Sequence, residues 1–284
     1  MSKSIKYLSS LPSERDFYEL YWNKMPFIVK EGIDQSILSE LIDANELAGL
    51  SLEEDVRSRI VQSESWSCAH GPFEENVFLT LGENNWSLLV QDVEKFHPPT
   101  AGILKPFGFS PCWLIDDVMV SYAVPGGGVG PHLDSYHVFL VQGMGKRLWK
   151  IGRSPIQDEK LVADLDIKIL EEEFDGDTVE VTAGDILYIP PKFPHAGETI
   201  DESLTYSIGF LGPSIAELFV EYGHYIEERG EINLRYAGNK LDQMSAGENM
   251  SGGEVANIRS SLGNALNSDH FDKWLRGYFR GDEV

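Results

Sequence analysis

Between residues 113 and 210, short apolar runs recur, each bounded by glycine or proline, in the manner of strands joined by tight turns. Residues 118–124 read as extended and are broken by Pro125-Gly126-Gly127-Gly128. Residues 138–142 form a second run, bounded by Gly143 and Gly145, and 146–151 are predicted to return as its hairpin partner. A third run, 178–181, passes through Ala183-Gly184-Asp185 into 186–189, which Pro190-Pro191 stops, and 204–210 closes the set. The helical crossovers that a parallel sheet requires are missing, so the pattern predicts a mainly β fold, a double-stranded β-helix or jelly roll.

The flanks read differently. The first ninety residues are predicted mainly helical with short extended pieces: 16–22, then 39–50 capped by Ser39, then 85–96. The last carries Trp86, Leu89, Val90, Val93 and Phe96 at helical spacing and ends before Pro98-Pro99. Beyond Pro213, Ser214 is predicted to cap a helix over 215–228 with Leu218, Phe219, Tyr222 and Tyr225 on one side. Residues 233–253 read as loop with short helices, and 264–278 as a final helix. The organisation expected is an elaboration over 1–97, a catalytic core over 98–213 and a helical appendage over 214–284 that packs on the barrel or on a second subunit.

Chemistry concentrates at the strand ends. In Pro131-His132-Leu133-Asp134 the first and third of the last three residues project to one side of an extended segment, so His132 and Asp134 converge on one ion. His195, held behind Pro190-Pro191 and Pro194, is the candidate third ligand, while His137 falls in the opposite register. Two imidazoles and a carboxylate on one face leave the other face of the metal open, the arrangement of non-haem Fe(II) oxygenases. Zinc activating water for hydrolysis and a catalytically silent barrel with a structural metal are the alternatives. Arg147 shares a face with Trp149 and Ile151, so it is a buried cation suited to a carboxylate. Thr205 and Ser207 share an orientation and are candidate hydroxyl donors to the same ligand.

Charge narrows the partner class. With 46 acidic and 23 basic residues the net charge is -23, which opposes direct nucleic-acid binding and favours a basic partner. Cys68 and Cys112 are too isolated for a disulfide framework or a thiolate site. No stretch approaches 18 apolar residues and the first residues do not lead into a signal-like run, so a cytoplasmic protein without a membrane span is expected.

Several of these motifs together resemble the bacterial ribosomal oxygenases of the JmjC type, which have a cupin fold. They are Asp116-Asp117, the run from Ser121 through Gly126-Gly127-Gly128 to Asp134, Gln142-Gly143, Lys146-Arg147-Leu148-Trp149, and Gly184 to Pro191. Phe193-Pro194-His195, the segment Tyr206 to Phe210, and amino-terminal His70 to Phe73 and Asn85 to Leu89 extend the likeness over most of the chain. The resemblance implies Fe(II), 2-oxoglutarate and O2, with His132, Asp134 and His195 as ligands and Arg147 anchoring 2-oxoglutarate. It implies a homodimer built by helices after the barrel. The branch most resembled hydroxylates an arginine side chain at Cβ in the large-subunit ribosomal protein uL16, whereas sister enzymes act on histidine or on other proteins. Asp116 and Asp117 are the candidates for gripping a basic side chain. The chain is expected to lack the carboxy-terminal winged-helix domain of better-known members.

Overall fold

Twelve strands form among the described residues of the computed structural model, which are 4–229, 235–236 and 250–280. They are β1 (Lys6–Leu8), β2 (Phe27–Val29), β3 (Ser58–Gln62), β4 (Ser67–His70), β5 (Trp86–Val90) and β6 (Val118–Ala123). The remainder are β7 (His137–Met144), β8 (Lys146–Gly152), β9 (Gly176–Thr182), β10 (Ile186–Ile189), β11 (His195–Thr199) and β12 (Ser203–Phe210). Nine make a mixed sheet in the order β1-β2-β10-β7-β12-β6-β5-β3-β4, parallel only at β1–β2, and three make an antiparallel sheet, β11-β8-β9. The mainly β core flanked by helices is as the sequence pattern predicts.

Side-chain alternation along the central strand β7 separates two cores. Phe139 and Val141 join an aromatic cluster with Phe17, Phe27, Phe107 and Tyr188. Val138 and Leu140 turn to the other face and pack with Trp149, Ile151, Val179 and Val181 of the small sheet.

Several expectations fail for identifiable reasons. Residues 85–96 are not one helix: Trp86–Val90 is β5, buried along its whole length between β3 and β6, and only Val93–Phe96 is helical. A strand buried on both faces is an unbroken apolar run, which periodicity does not separate from a helix. The amino-terminal ninety residues accordingly supply five strands, with helices confined to short pieces: α1 (Glu14–Asp16) running into a π-turn at Phe17–Tyr21, α2 (Gln35–Leu38), α3 (Ala44–Leu50) and α4 (Glu75–Thr80), ahead of α5 (Val93–Phe96). Ser39 ends α2, and α3 is capped instead by Asp43 in a reciprocal capping box with Glu46. Finally, β8 does not pair with β7. Its partners are β9 and β11, because the chain crosses to the other sheet at Gly145, which has φ +71°. A Cβ there would meet the Glu202 carbonyl oxygen at 2.0 Å, so only glycine permits the crossing.

Contacts within the chain divide it into two units, 1–212 and 213–284. In the second, Ser214 caps α6 (Ile215–Glu228) through a capping box with Glu217. The final helical region is two helices, α7 (Gly252–Leu266) and α8 (Asp269–Tyr278), because Ser268 accepts from the Phe271 N–H and starts a new helix. Tyr222 and Tyr225 of α6 pack on Trp274 of α8. Most of 233–253, expected as loop, lies outside the described residues; Gly252 already opens α7. No described helix is long and apolar enough to cross a membrane.

Candidate active site

Both sheets line one cavity of about 330 Å3. From the large sheet come Val138 and Leu140, Thr205 and Ser207, Met119 and Ser121, Ser87 and Leu89, and Arg59; from the small sheet come Arg147, Trp149 and His195. His132 and Asp134 stand in the segment between β6 and β7.

Backbone pairing fixes the triad. The N–H of His132 donates to the His195 carbonyl and the N–H of His195 to the His132 carbonyl, both at 3.0 Å, an isolated antiparallel bridge. The Lys192 N–H donates to the Asp134 carbonyl at 2.8 Å and ties the third residue to the Pro190-Pro191 turn. Nitrogen and oxygen atoms of His132, Asp134 and His195 consequently lie within 4.8 Å of one another. His195 Nε2 is 3.4 Å and His132 Nε2 3.9 Å from the Asp134 carboxylate.

The other ring nitrogens are already engaged: His132 Nδ1 is 3.0 Å from the Gly130 carbonyl and His195 Nδ1 is 3.0 Å from that of Phe193. Carbonyls only accept, so each Nδ1 carries a proton, and each Nε2 is the nitrogen turned to the shared space. Burial, reinforced by the adjacent His195, holds His132 down to about 4, so it is neutral at neutral pH. Burial opposes ionisation of Asp134, yet the two histidines keep its carboxyl below the usual range. Two imidazoles and a carboxylate on one side of a cavity are the donor set of a divalent transition metal with open positions. His137 takes no part. It stacks on Trp22 and its Nδ1 meets the Tyr188 hydroxyl at 2.7 Å.

Arg147 is 3% exposed and has no carboxylate within ion-pair distance among the described residues. One guanidinium nitrogen donates to Thr205 Oγ1 at 3.3 Å, Nε has no partner, and burial lowers the pKa only to about 10, so the group stays charged. An unpaired buried charge costs several kcal/mol, and an anion entering the cavity would remove that cost. Ser207 lines the same cavity.

Asp116 and Asp117 are not brought to the cavity wall. Asp117 lies behind it, beside Tyr136, which does line it: a Cβ on Gly209 would be 3.4 Å from the Tyr136 ring and 3.5 Å from Asp117 Oδ1. Burial, with the charges of Asp116, Asp92 and Glu94, pushes the Asp117 carboxyl up to about 6, offset in part by the Asp92 N–H at 3.4 Å. A carboxylate so raised favours its neutral form in the folded state. Stability therefore falls as pH rises from about 4 to about 6, and at neutral pH the penalty is on the order of 2 kcal/mol. Asp117→Asn keeps an acceptor for the Asp92 N–H and removes the charge. We expect it to unfold at higher urea concentration than the parent protein at pH 7.5, by roughly 1–2 kcal/mol after allowing for solvent screening, and at the same concentration at pH 4. Equal midpoints at pH 7.5 would remove the claim of an ionised, strained carboxylate.

Arg59, Ser87, Leu89 and Tyr136 were not identified as cavity residues from the sequence; the first three lie on strands of a region whose pattern reads as helix. Asp166, Ile167 and Lys168, from the excursion between β8 and β9, complete the mouth.

Comparison with known proteins agrees with this geometry. A model of the JmjC domain matches residues 102–218, which contain the triad and Arg147. The chain is 39% identical over 269 residues to the ribosomal protein uL16 3-hydroxylase of Escherichia coli K12, covering 92% of this chain and 69% of that protein. The X-ray structure of E. coli ycfD superposes with a TM-score of 0.82 at 37% identity, covering 97% of this chain and 73% of that one. A structure of the same ribosomal oxygenase in complex with cobalt and 2-oxoglutarate gives a TM-score of 0.78 at 37% identity, covering 93% and 70%. A cavity built for a metal and an anion, on a chain matched to these proteins over nine-tenths of its length, leads to one assignment: the chain belongs to the JmjC ribosomal oxygenase family.

Proposed function

We propose that this chain is an Fe(II)- and 2-oxoglutarate-dependent oxygenase that hydroxylates an arginine side chain of ribosomal protein uL16 at Cβ. The observation that carries the reading is the pairing, in one cavity, of an oriented His132-Asp134-His195 triad with a buried, uncompensated Arg147. The two sheets, both lining that cavity, are read as the halves of a double-stranded β-helix, with residues 98–213 as the catalytic core and 1–97 as its elaboration.

The triad would hold Fe(II) through His132 Nε2, His195 Nε2 and an Asp134 oxygen. Arg147 would pair with the distal carboxylate of 2-oxoglutarate, in the fork geometry that a guanidinium offers. Iron, 2-oxoglutarate and O2 together supply the oxidising power, with succinate and CO2 released as the substrate carbon gains a hydroxyl group. The chain's own part is placement. The carbonyls of Gly130 and Phe193 keep both imidazoles in the ligating tautomer. Val138, Leu140, Met119, Leu89 and Trp149 line the space with apolar surface and exclude water. Asp117, with Asp116 beside it, is read as the charge that draws the substrate guanidinium past Tyr136, and Asp117 carries a stability cost consistent with a functional role.

The identity of the substrate rests on the relative named for uL16, supported by the net charge of -23, which suits a basic partner. The test compares tryptic peptides of uL16 from cells with and without this gene. A gain of about 16 Da, one oxygen atom, on a single arginine should be lost on deletion and restored by the parent gene but not by an Asp134→Ala copy. Modification that persists after deletion, or unmodified uL16 in the parent cells, would overturn the assignment; a modified histidine in another protein would favour a sister specificity.

We read residues 214–284 as a dimerisation segment, because α6 leaves Ile215 70% and Phe219 55% exposed one turn apart. Sedimentation should give twice the chain mass; a monodisperse monomer would remove this reading.

A further inference from the structure

Four buried side-chain nitrogen or oxygen atoms among the described residues have no hydrogen-bond partner, and three of them belong to residues lining the active cavity: Ser87 Oγ, Arg147 Nε and Trp149 Nε1. Buried polar atoms in folded proteins are rarely left unpaired. Three around one space, contributed by both sheets, describe the outline of a missing acceptor.

Strand register places them. Along β11 and β8, His195 faces Ile151, Gly197 faces Trp149 and Thr199 faces Arg147. Trp149 therefore stands one pleat between the level of the triad and that of the guanidinium. Its ring centroid is 5.9 Å from that of His195 and 4.8 Å from the Arg147 Cζ atom. A Cβ on Gly197 would come within 2.8 Å of the indole and 2.9 Å of Arg147 Nε, so the absence of a side chain there leaves room for both groups. A molecule reaching from the triad to Arg147 must pass along Trp149. On the large sheet, Thr205 faces Ser121 and Ser121 faces Leu89, whereas Ser87 faces Ala123 and so stands one pleat from the level of Arg147's partner Thr205.

Of the two hydroxyls expected from sequence to bind the ligand, Thr205 and Ser207, that of Thr205 is already engaged. Thr205 Oγ1 donates to Gln142 Oε1 at 3.0 Å and accepts from Arg147 at 3.3 Å. Ser87 and Trp149 retain hydrogens with nothing in the protein to receive them.

We propose that Ser87 and Trp149 donate hydrogen bonds to the distal carboxylate of 2-oxoglutarate and, with Arg147, complete its binding pocket. The inference rests on the cosubstrate reading above. Carboxylates accept several hydrogen bonds at once, and a guanidinium, a hydroxyl and an indole N–H on residues lining one cavity suit a doubly charged 2-oxoacid.

The test measures binding without turnover, by anaerobic calorimetry of the full chain loaded with Mn(II). Ser87→Ala and Trp149→Phe should each raise the Kd for 2-oxoglutarate about tenfold, the size associated with a hydrogen bond to a charged group. Mn(II) affinity should stay within twofold of the parent protein, and Ser87→Ala should melt no lower in the absence of ligand. An unchanged Kd for 2-oxoglutarate in Ser87→Ala would overturn the proposal, as would a matching loss of Mn(II) affinity, which marks a structural defect. If the parent protein itself fails to bind 2-oxoglutarate, the oxygenase reading falls and takes this one with it.

Discussion

Asp134→Ala is expected to abolish turnover and to erase the thermal stabilisation that a divalent metal gives the parent protein. Asp134 is the only carboxylate in the candidate donor cluster, and it stands between two imidazoles, of which His132 is held neutral by burial. Without it, two nitrogens remain to hold the ion. Loss of a mere outer-shell partner costs metal sites about 10–100-fold in affinity, so loss of a ligand should exceed that. The parent protein at a Mn(II) concentration about 100 times its Kd should gain about 2.7 kcal/mol of stability, seen as a rise in melting temperature. The variant should show no such rise, yet should fold, because the bridge between His132 and His195 is made by backbone atoms that the substitution leaves in place. A variant that still gains stability with Mn(II) and still consumes 2-oxoglutarate would show the triad to be wrong.

How much of this was legible in the sequence depends on whether one strand's alternation suffices to decide a side chain's direction. It suffices for His132 and Asp134, two residues apart, and for Arg147, two residues from Trp149. It also sufficed to leave His137 aside. His195 needed the proline-rich turn before it, whose backbone contact with Asp134 through Lys192 is the tie that brings the third residue in. What stayed hidden depends on long-range pairing. β5 reads as a helix because Trp86, Leu88 and Val90 face one core while Ser87 and Leu89 face the cavity, so both sides are apolar or small. Ser87 was invisible for that reason. Trp149 was in view as an apolar neighbour of Arg147; that its indole N–H lacks an acceptor is a property of everything around it, which no local pattern records. The hairpin predicted for β7 and β8 failed on the same ground, since Gly145 serves equally for a return and for a crossing.

Arg147→Met should move stability and cosubstrate binding in opposite directions. Methionine fills much of the same volume with an apolar side chain, and it removes a charge that is 3% exposed and unpaired by any carboxylate among the described residues. Replacing buried charge with packed apolar side chains is frequently neutral or stabilising, by about 1–4 kcal/mol. The ligand-free variant should therefore melt at or above the parent temperature, even though Thr205 Oγ1 loses one donor. With 2-oxoglutarate the sign reverses. Removing one member of a buried charge pair costs about 2–5 kcal/mol, which is at least roughly 30-fold in Kd. Mn(II) binding should be unchanged, because the triad and the guanidinium lie two pleats apart along β8. Arg147→Lys separates charge from geometry: it keeps the cation, loses the fork, and should fall between parent and methionine variant. Calorimetric titration of metal and of 2-oxoglutarate, with melting curves recorded on the same samples, distinguishes the outcomes. Lower stability together with equal loss of both ligands would place Arg147 in the scaffold; a more stable protein that holds metal but not 2-oxoglutarate would establish it as the anion's anchor.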